Sequence, residues 1–152
     1  MITTVFFDIG GVLLSNGWGH LSRQKAAKKF NLDYEEMNVL HNFIFNVFEI
    51  GSITLDDYLD TVVFHHPRDF SKEVFKNFMF AQSVELPDTL SWLKEWKKNC
   101  GFRVFSINNE SSELNDYRIK VPKLKELLCQ FMNILFAVVN SNNSKKKIVE
   151  LR

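Results

Sequence analysis

The chain is 152 residues long and 45% apolar, enough to fill the core of one ordinary globular domain with an inserted subdomain. A formal charge of +1 argues against the basic footprint of a nucleic-acid binder and against an acidic tail, so no polyanion partner is expected. No apolar run nears the roughly 20 residues that cross a bilayer, Cys100 and Cys129 stand alone without metal or CxxC spacing, and no signal-peptide pattern leads the chain; no membrane is expected, and the cytoplasm is the expected compartment.

The first element is the run Thr3-Thr4-Val5-Phe6-Phe7-Asp8-Ile9-Gly10-Gly11-Val12-Leu13-Leu14. It reads as a strand that delivers one carboxylate, Asp8, to its carboxyl end. In an open α/β sheet that end faces the crevice where ligands bind. Gly10 and Gly11 let the backbone turn there and approach a ligand closely. Next, Leu21 to Phe30 reads as a short basic helix, broken at Asn31-Leu32-Asp33. Asp33 with Glu36 has capping-box spacing and opens a helix whose apolar face is read as Leu40, Phe43, Ile44, Val47 and Phe48, ending at Gly51. Thr54 with Asp57 starts another, carrying Leu55, Tyr58, Leu59 and Val62 toward His65-His66 and closed by Pro67. Ser71 opens a third, with Val74, Phe75, Phe78 and Met79 on its face. Residues 41–80 hold eight of the fifteen phenylalanines, which predicts a compact all-α unit with its own small core.

From Leu86-Pro87 a helix bearing Leu90, Leu93 and Trp96 runs to Lys97-Lys98-Asn99-Cys100-Gly101, with cations in its last turn and glycine just past it. Phe102 to Ile107 is a strand that delivers Asn108-Asn109-Glu110 to its end. Leu114 to Leu128 holds one or two helices interrupted at Pro122, and Ile134 to Val139 is a third strand, followed by a polar loop and Lys145-Lys146-Lys147. Helix, glycine, strand and polar turn make half of a doubly wound unit. His65-His66 reads as a surface pair at a helix end, since no third metal ligand stands at useful spacing in the sequence. Nothing distinguishes His20 or His41 from ordinary surface or packing residues.

Phe6-Phe7-Asp8-Ile9-Gly10-Gly11-Val12-Leu13 resembles the first motif of the haloacid-dehalogenase-like hydrolases, and Phe105 to Leu114 resembles the second, less specifically. The order of elements agrees through about residue 120. The resemblance implies an α/β fold, a Rossmann-like parallel sheet with an inserted α-helical cap, its core formed by residues 1–16 and 85–152 and its cap by 17–84. The sheet is expected to be incomplete at the C-terminal side. It also implies that Asp8 is the nucleophile and a ligand of Mg²⁺, that Gly10 gives the metal its backbone carbonyl, and that Gly11, Asn108 and Asn109 bind the phosphate of a small-molecule substrate. Ser106 is the fallback for Asn108 if the register slips by two.

The sequence departs from the family pattern at several points. Position 10 is glycine where the phosphatases of the family carry a proton-transferring acid. Lys147, or its neighbours Lys145 and Lys146, stands where the third-motif lysine is expected, but no proline follows; a solvated charge run is the bland alternative. The acidic fourth motif is not expected in the remaining residues, which implies weak Mg²⁺ binding. Three functions therefore stay open: a phosphatase acting through an aspartyl-phosphate on Asp8; a metal-free dehalogenase, whose halide-holding arginine would be Arg23 or Arg68; and a catalytically silent, shortened remnant. Substrate and oligomeric state are not legible.

Overall fold

The computed structural model describes residues 2–107, 110–131, 133–138 and 147–151, with side chains over 2–106 and 110–126. In chain order its elements are β1 (Thr4–Asp8), α1 (His20–Phe30), α2 (Tyr34–Glu49), α3 (Leu55–Val62), α4 (Lys72–Phe80), α5 (Pro87–Asn99), β2 (Arg103–Ile107), α6 (Ser112–Arg118), α7 (Pro122–Phe131), β3 (Asn133–Val138) and β4 (Lys147–Leu151).

Strand period explains what the sheet does with its residues. β1 and β2 are parallel, with Val5 opposite Val104 and Phe7 opposite Ser106; alternation sends these four to one face. There Phe7 meets Trp96 of α5 edge-on, ring centroids 5.7 Å apart, and Val104 and Ser106 are buried. Phe6 and Phe105 stack on the opposite face at 5.5 Å, where Phe6 keeps 51% of its surface exposed. β3 continues parallel beside β2. Because the order β1-β2-β3 steps in one direction, right-handed crossovers bring their helices to one face. Accordingly α5 packs on α7, and Lys94 pairs with Glu126 at 2.8 Å between them.

The three strands read from the sequence are parallel, and a fourth that was not expected, β4, runs antiparallel to β3, with Lys147 opposite Val138 and Leu151 opposite Ile134. A parallel return needs a crossover of about a dozen residues or more, and only residues 139–146 separate these strands. Lys147 is therefore the first residue of a strand that it shares with Glu150. Its side chain lies outside the described residues, as do Asn108, Asn109, Lys145 and Lys146.

The helix starts lie where capping chemistry requires. The Asp33 carboxylate accepts from the Glu36 N–H at 3.0 Å, the Ser71 hydroxyl from the Val74 N–H at 3.2 Å, and Thr54 with Asp57 closes a full capping box. Asn31 at φ 50° ends α1 and Gly51 at φ 71° follows α2, both in the left-handed region that stops a helix.

Other expectations need correction. The buried stripe of α2 is Met37, His41 and Phe48, whereas Phe43 is 80% exposed and Val47 also faces outward. α2 packs against both α1 and α3, and this turns the His41 face inward, where Tyr58 satisfies the imidazole. Val74 is likewise exposed, leaving Phe75 and Met79 as the buried face of α4. α3 stops at Val62 rather than running to Pro67. The Phe64 N–H returns to the Leu59 carbonyl at 2.9 Å, the Arg68 Nε–H takes the Val63 carbonyl at 2.7 Å, and Pro67 disfavours helix at His66. At the end of α5 the cap is an extended Cys100, so the freedom of Gly101 is not used.

Two apolar clusters result. One, within α1–α4, holds Trp18, Phe48, Tyr58, Phe75 and Met79 and reaches Leu114 of α6; the other joins Ile9, Leu13 and Leu14 to Leu90, Leu93, Val104 and Leu124. The segments that lead into and out of the helical unit are laced together. The Ser15 N–H donates to the Val84 carbonyl at 2.7 Å and the Leu86 N–H to the Leu13 carbonyl at 3.1 Å. The Ser15 hydroxyl donates to the Gln82 carbonyl at 2.5 Å and accepts from the Val84 N–H at 2.9 Å.

Candidate functional site

Asp8 stands at the carboxyl end of β1 and its Oδ1 accepts the Ile9 N–H at 2.7 Å. The chain then winds tightly: the Leu13 and Leu14 N–H groups return to the Ile9 carbonyl at 3.0 and 2.9 Å, and the Gly11 N–H reaches the Leu14 carbonyl at 2.7 Å. Gly11 sits at φ 72°, and a Cβ there would lie 2.7 Å from the Asn16 Oδ1. Both the backbone angle and the Asn16 amide folded over this turn demand glycine.

Over this turn lies a cavity of about 250 Å³. Its sheet-side wall is Asp8, Gly10, Asn16, Glu110 and Ser111, and its helical wall is Trp18, Arg23, His41, Phe45, Phe48 and Glu49. Of the residues singled out from the sequence, Asp8 and Gly10 line it, while Gly11 lies behind it in the turn. Ser106 is buried within β2 on the helix-covered face. Arg23 lines the cavity and Arg68, bonded to Val63 in the α3–α4 turn, does not.

The cavity's polar groups are held by a buried network that the sequence reading missed. The Trp18 Nε1–H donates to the Tyr58 hydroxyl at 2.8 Å, and that hydroxyl lies 2.7 Å from the His41 Nδ1. An indole can only donate, so Tyr58 satisfies its own proton by donating to a neutral His41, whose Nε2 then carries the imidazole hydrogen. Burial, aided by the charge of nearby Arg23, pulls the His41 pKa down to about 4, so the ring is neutral near pH 7. Arg23 is fixed by the Trp18 carbonyl at 2.9 Å and the Asn38 amide oxygen at 3.0 Å. Burial raises the Glu49 pKa.

Behind the sheet-side wall lies Arg118 of α6, fully buried. Its Nη1 is 2.6 Å from the Glu110 Oε1 and its Nε–H donates to the Ser83 hydroxyl at 3.1 Å. The Glu110 contact is a charge contact rather than an aligned hydrogen bond, since neither Nη of Arg118 makes a hydrogen bond among the described residues. Burial lowers the Arg118 pKa, against which the charges of Glu110 and then Asp8 act. The guanidinium fills the space beside Gly10 and Gly17: a Cβ on Gly10 would come within 3.1 Å of Nη1, and one on Gly17 would collide with Nη2.

Chemically this is an acidic crevice with a cation beneath it. Asp8, Glu110, the Gly10 carbonyl and the Asn16 amide are all oxygen donors, the type a hard divalent ion such as Mg²⁺ takes. The sequence carried one usable signal for the missed residues: Met37, His41 and Phe48 recur at helical spacing, which sets a histidine among core positions. Arg118 had none, because its burial depends on Gly17 and Ser83, remote in sequence.

No protein-family model and no curated sequence matches the chain. Among solved structures it is similar to YfnB of Bacillus subtilis, described as a HAD-hydrolase, whose crystal structure binds magnesium and reveals interdomain movement. The two superpose with a TM-score of 0.56 at 13% identity, over 90% of this chain and 65% of that one. This chain thus spans just under two-thirds of that protein's length. At such identity the likeness is one of fold alone.

Proposed function

We propose that the chain is a hydrolase of the HAD-like type that acts as a phosphatase on a small phosphorylated molecule, with residues 17–84 serving as the cap. The observation that carries this reading is the position of Asp8, at a strand's carboxyl end and open to a cavity of about 250 Å³ walled by helices, in a fold similar to that of a HAD-hydrolase. Asp8 would attack phosphorus in line with the departing alkoxide, forming an aspartyl-phosphate that water then hydrolyses. Mg²⁺, held by the Asp8 carboxylate, the Gly10 carbonyl and Glu110, would supply the positive charge that lets a carboxylate approach a phosphate. Asn108, Asn109 and Lys147 remain the proposed contacts and charge for the phosphoryl oxygens, while Gly11, whose N–H is taken by the Leu14 carbonyl, shapes the turn behind them. Gly10 carries no acid, and Glu49, which lines the same cavity and whose pKa burial raises, is the proposed proton donor.

Trapping tests this reading. Beryllium fluoride with Mg²⁺ should raise the melting temperature of the wild type and leave Asp8→Asn unmoved; equal shifts in both would overturn it. A second reading is favoured by Arg23, which lines the same cavity with its Nε unbonded among the described residues. In that reading Asp8 displaces halide from carbon and water hydrolyses the resulting ester. Halide release from 2-haloacids that survives chelation and is lost in Arg23→Lys would establish it in place of the first.

A further inference from the structure

We propose that Glu36, His65 and His66 form a binding site for a borderline divalent cation, Zn²⁺ in the first instance, that staples the start of α2 to the turn between α3 and α4. The ligand atoms of these three side chains all lie within 4.8 Å of one another, and the His65 Nε2 is 3.3 Å from the Glu36 Oε1. Tetrahedral Zn²⁺, with bonds of about 2.0–2.1 Å to nitrogen and oxygen, sets its ligand atoms about 3.3–3.4 Å apart, so that pair is already at bonding separation.

An ordinary surface ion pair would explain Glu36 and His65 alone. It would not explain the second imidazole. Adjacent residues in a helix point about 100° apart, but here α3 has ended and the two rings lie side by side, centroids 4.4 Å apart. The turn that presents them is fastened by the Arg68 bond to the Val63 carbonyl at 2.7 Å and by Pro67. The backbone that carries Glu36 is held from the other side, its N–H bonded to the Asp33 carboxylate at 3.0 Å. To close on an ion, the ligand atoms have only to draw in from separations of at most 4.8 Å to about 3.4 Å.

Its chemistry selects the ion. Two imidazoles and one carboxylate suit Zn²⁺ and its neighbours among the later transition metals, whereas Mg²⁺ and Ca²⁺ prefer sets of oxygens. Three protein ligands leave a fourth position for water. The cluster also stands apart from the Asp8 cavity: Glu36 lies in the first turn of α2 and the cavity residue Glu49 in its last, about 20 Å apart at about 1.5 Å per residue. A cation here would tie the start of α2 to the α3–α4 turn without touching the chemistry at Asp8, and its binding energy would add to the stability of the unit.

The test is titration of the chelator-treated full chain with ZnCl₂, read by calorimetry and thermal unfolding. Zn²⁺ should bind and raise the melting temperature. His65→Ala, His66→Ala and Glu36→Gln should each weaken binding at least about tenfold, since loss of an outer-shell partner alone costs 10–100-fold. Asp8→Asn should keep the full response. Zn²⁺ affinity unchanged in both histidine variants, or lost in Asp8→Asn, would overturn the assignment. Imidazole NMR of the wild type keeps the question decidable if a variant fails to fold: Zn²⁺ should shift two histidine resonances and spare the buried His41, and the reverse pattern refutes the site.

Discussion

His41 is the residue that most changes the reading of this chain. In sequence it is one of four histidines; in the fold it is 4% exposed and bonded to a hydroxyl that is itself buried. Its pKa falls from 6.5 to about 4, so between those values the unfolded chain takes up a proton that the folded chain refuses. The stability this confers is complete above about pH 6.5 and is lost as pH falls toward 4, by up to about 3 kcal/mol. Urea unfolding at about pH 7 and about pH 4.5 should show a fall that His41→Gln reduces; an equal fall in the variant would place the titration elsewhere. Asp8 and its glycines could be read from the sequence because an apolar run closed by a carboxylate and Gly-Gly is a local pattern. His41 carried only a helical spacing that sets it among core positions, and Glu110 only its place at the end of β2; Arg118 carried nothing, and what each does at the cavity depends on residues distant in the chain. Tyr58 holds the first, and Gly17 and Ser83 enclose the last, which in turn holds Glu110.

At the level of elements, the helices were legible where capping starts them and less so where packing turns them. Asp33, Thr54 and Ser71 mark starts through bonds made within one turn, so three residues of sequence suffice. Which face is buried depends on neighbours, and hence Phe43 and Val47 of α2 and Val74 of α4 were read inward but lie outward. α3 depends most on its start. Its Leu55 N–H is taken by the Glu113 carboxylate of α6 at 3.0 Å, so the Thr54 box both begins the helix and sets its end against α6. Thr54→Ala should cost about 1 kcal/mol in chemical denaturation, whereas Thr54→Asp, which keeps a capping oxygen, should cost much less. β4 itself was not legible, because Lys147 to Leu151 begins in a lysine run that reads as a solvated loop; its antiparallel direction fits a connection too short for the crossover that a parallel strand needs.

At the scale of the whole molecule, Arg118 pins the two segments joining helices to sheet, its guanidinium against Gly17 of the ingoing segment and Ser83 of the outgoing one. Gly17 is at φ 57°, so an alanine there meets both a left-handed backbone and the guanidinium. Gly17→Ala should destabilise by about 2 kcal/mol or more. Gly101→Ala, where a Cβ meets open space, should stay within about 0.5 kcal/mol or gain slightly; comparable losses at the two sites would show that the pin carries no weight. The sheet order has a consequence of its own. Among the described residues β1 pairs with β2 alone and so forms one border of the sheet. The carboxylate of Asp8 thus rides on a strand sewn along one side only. Whatever lies along the unsewn side, water or another strand, bears on where that carboxylate points without changing a single residue of the cavity.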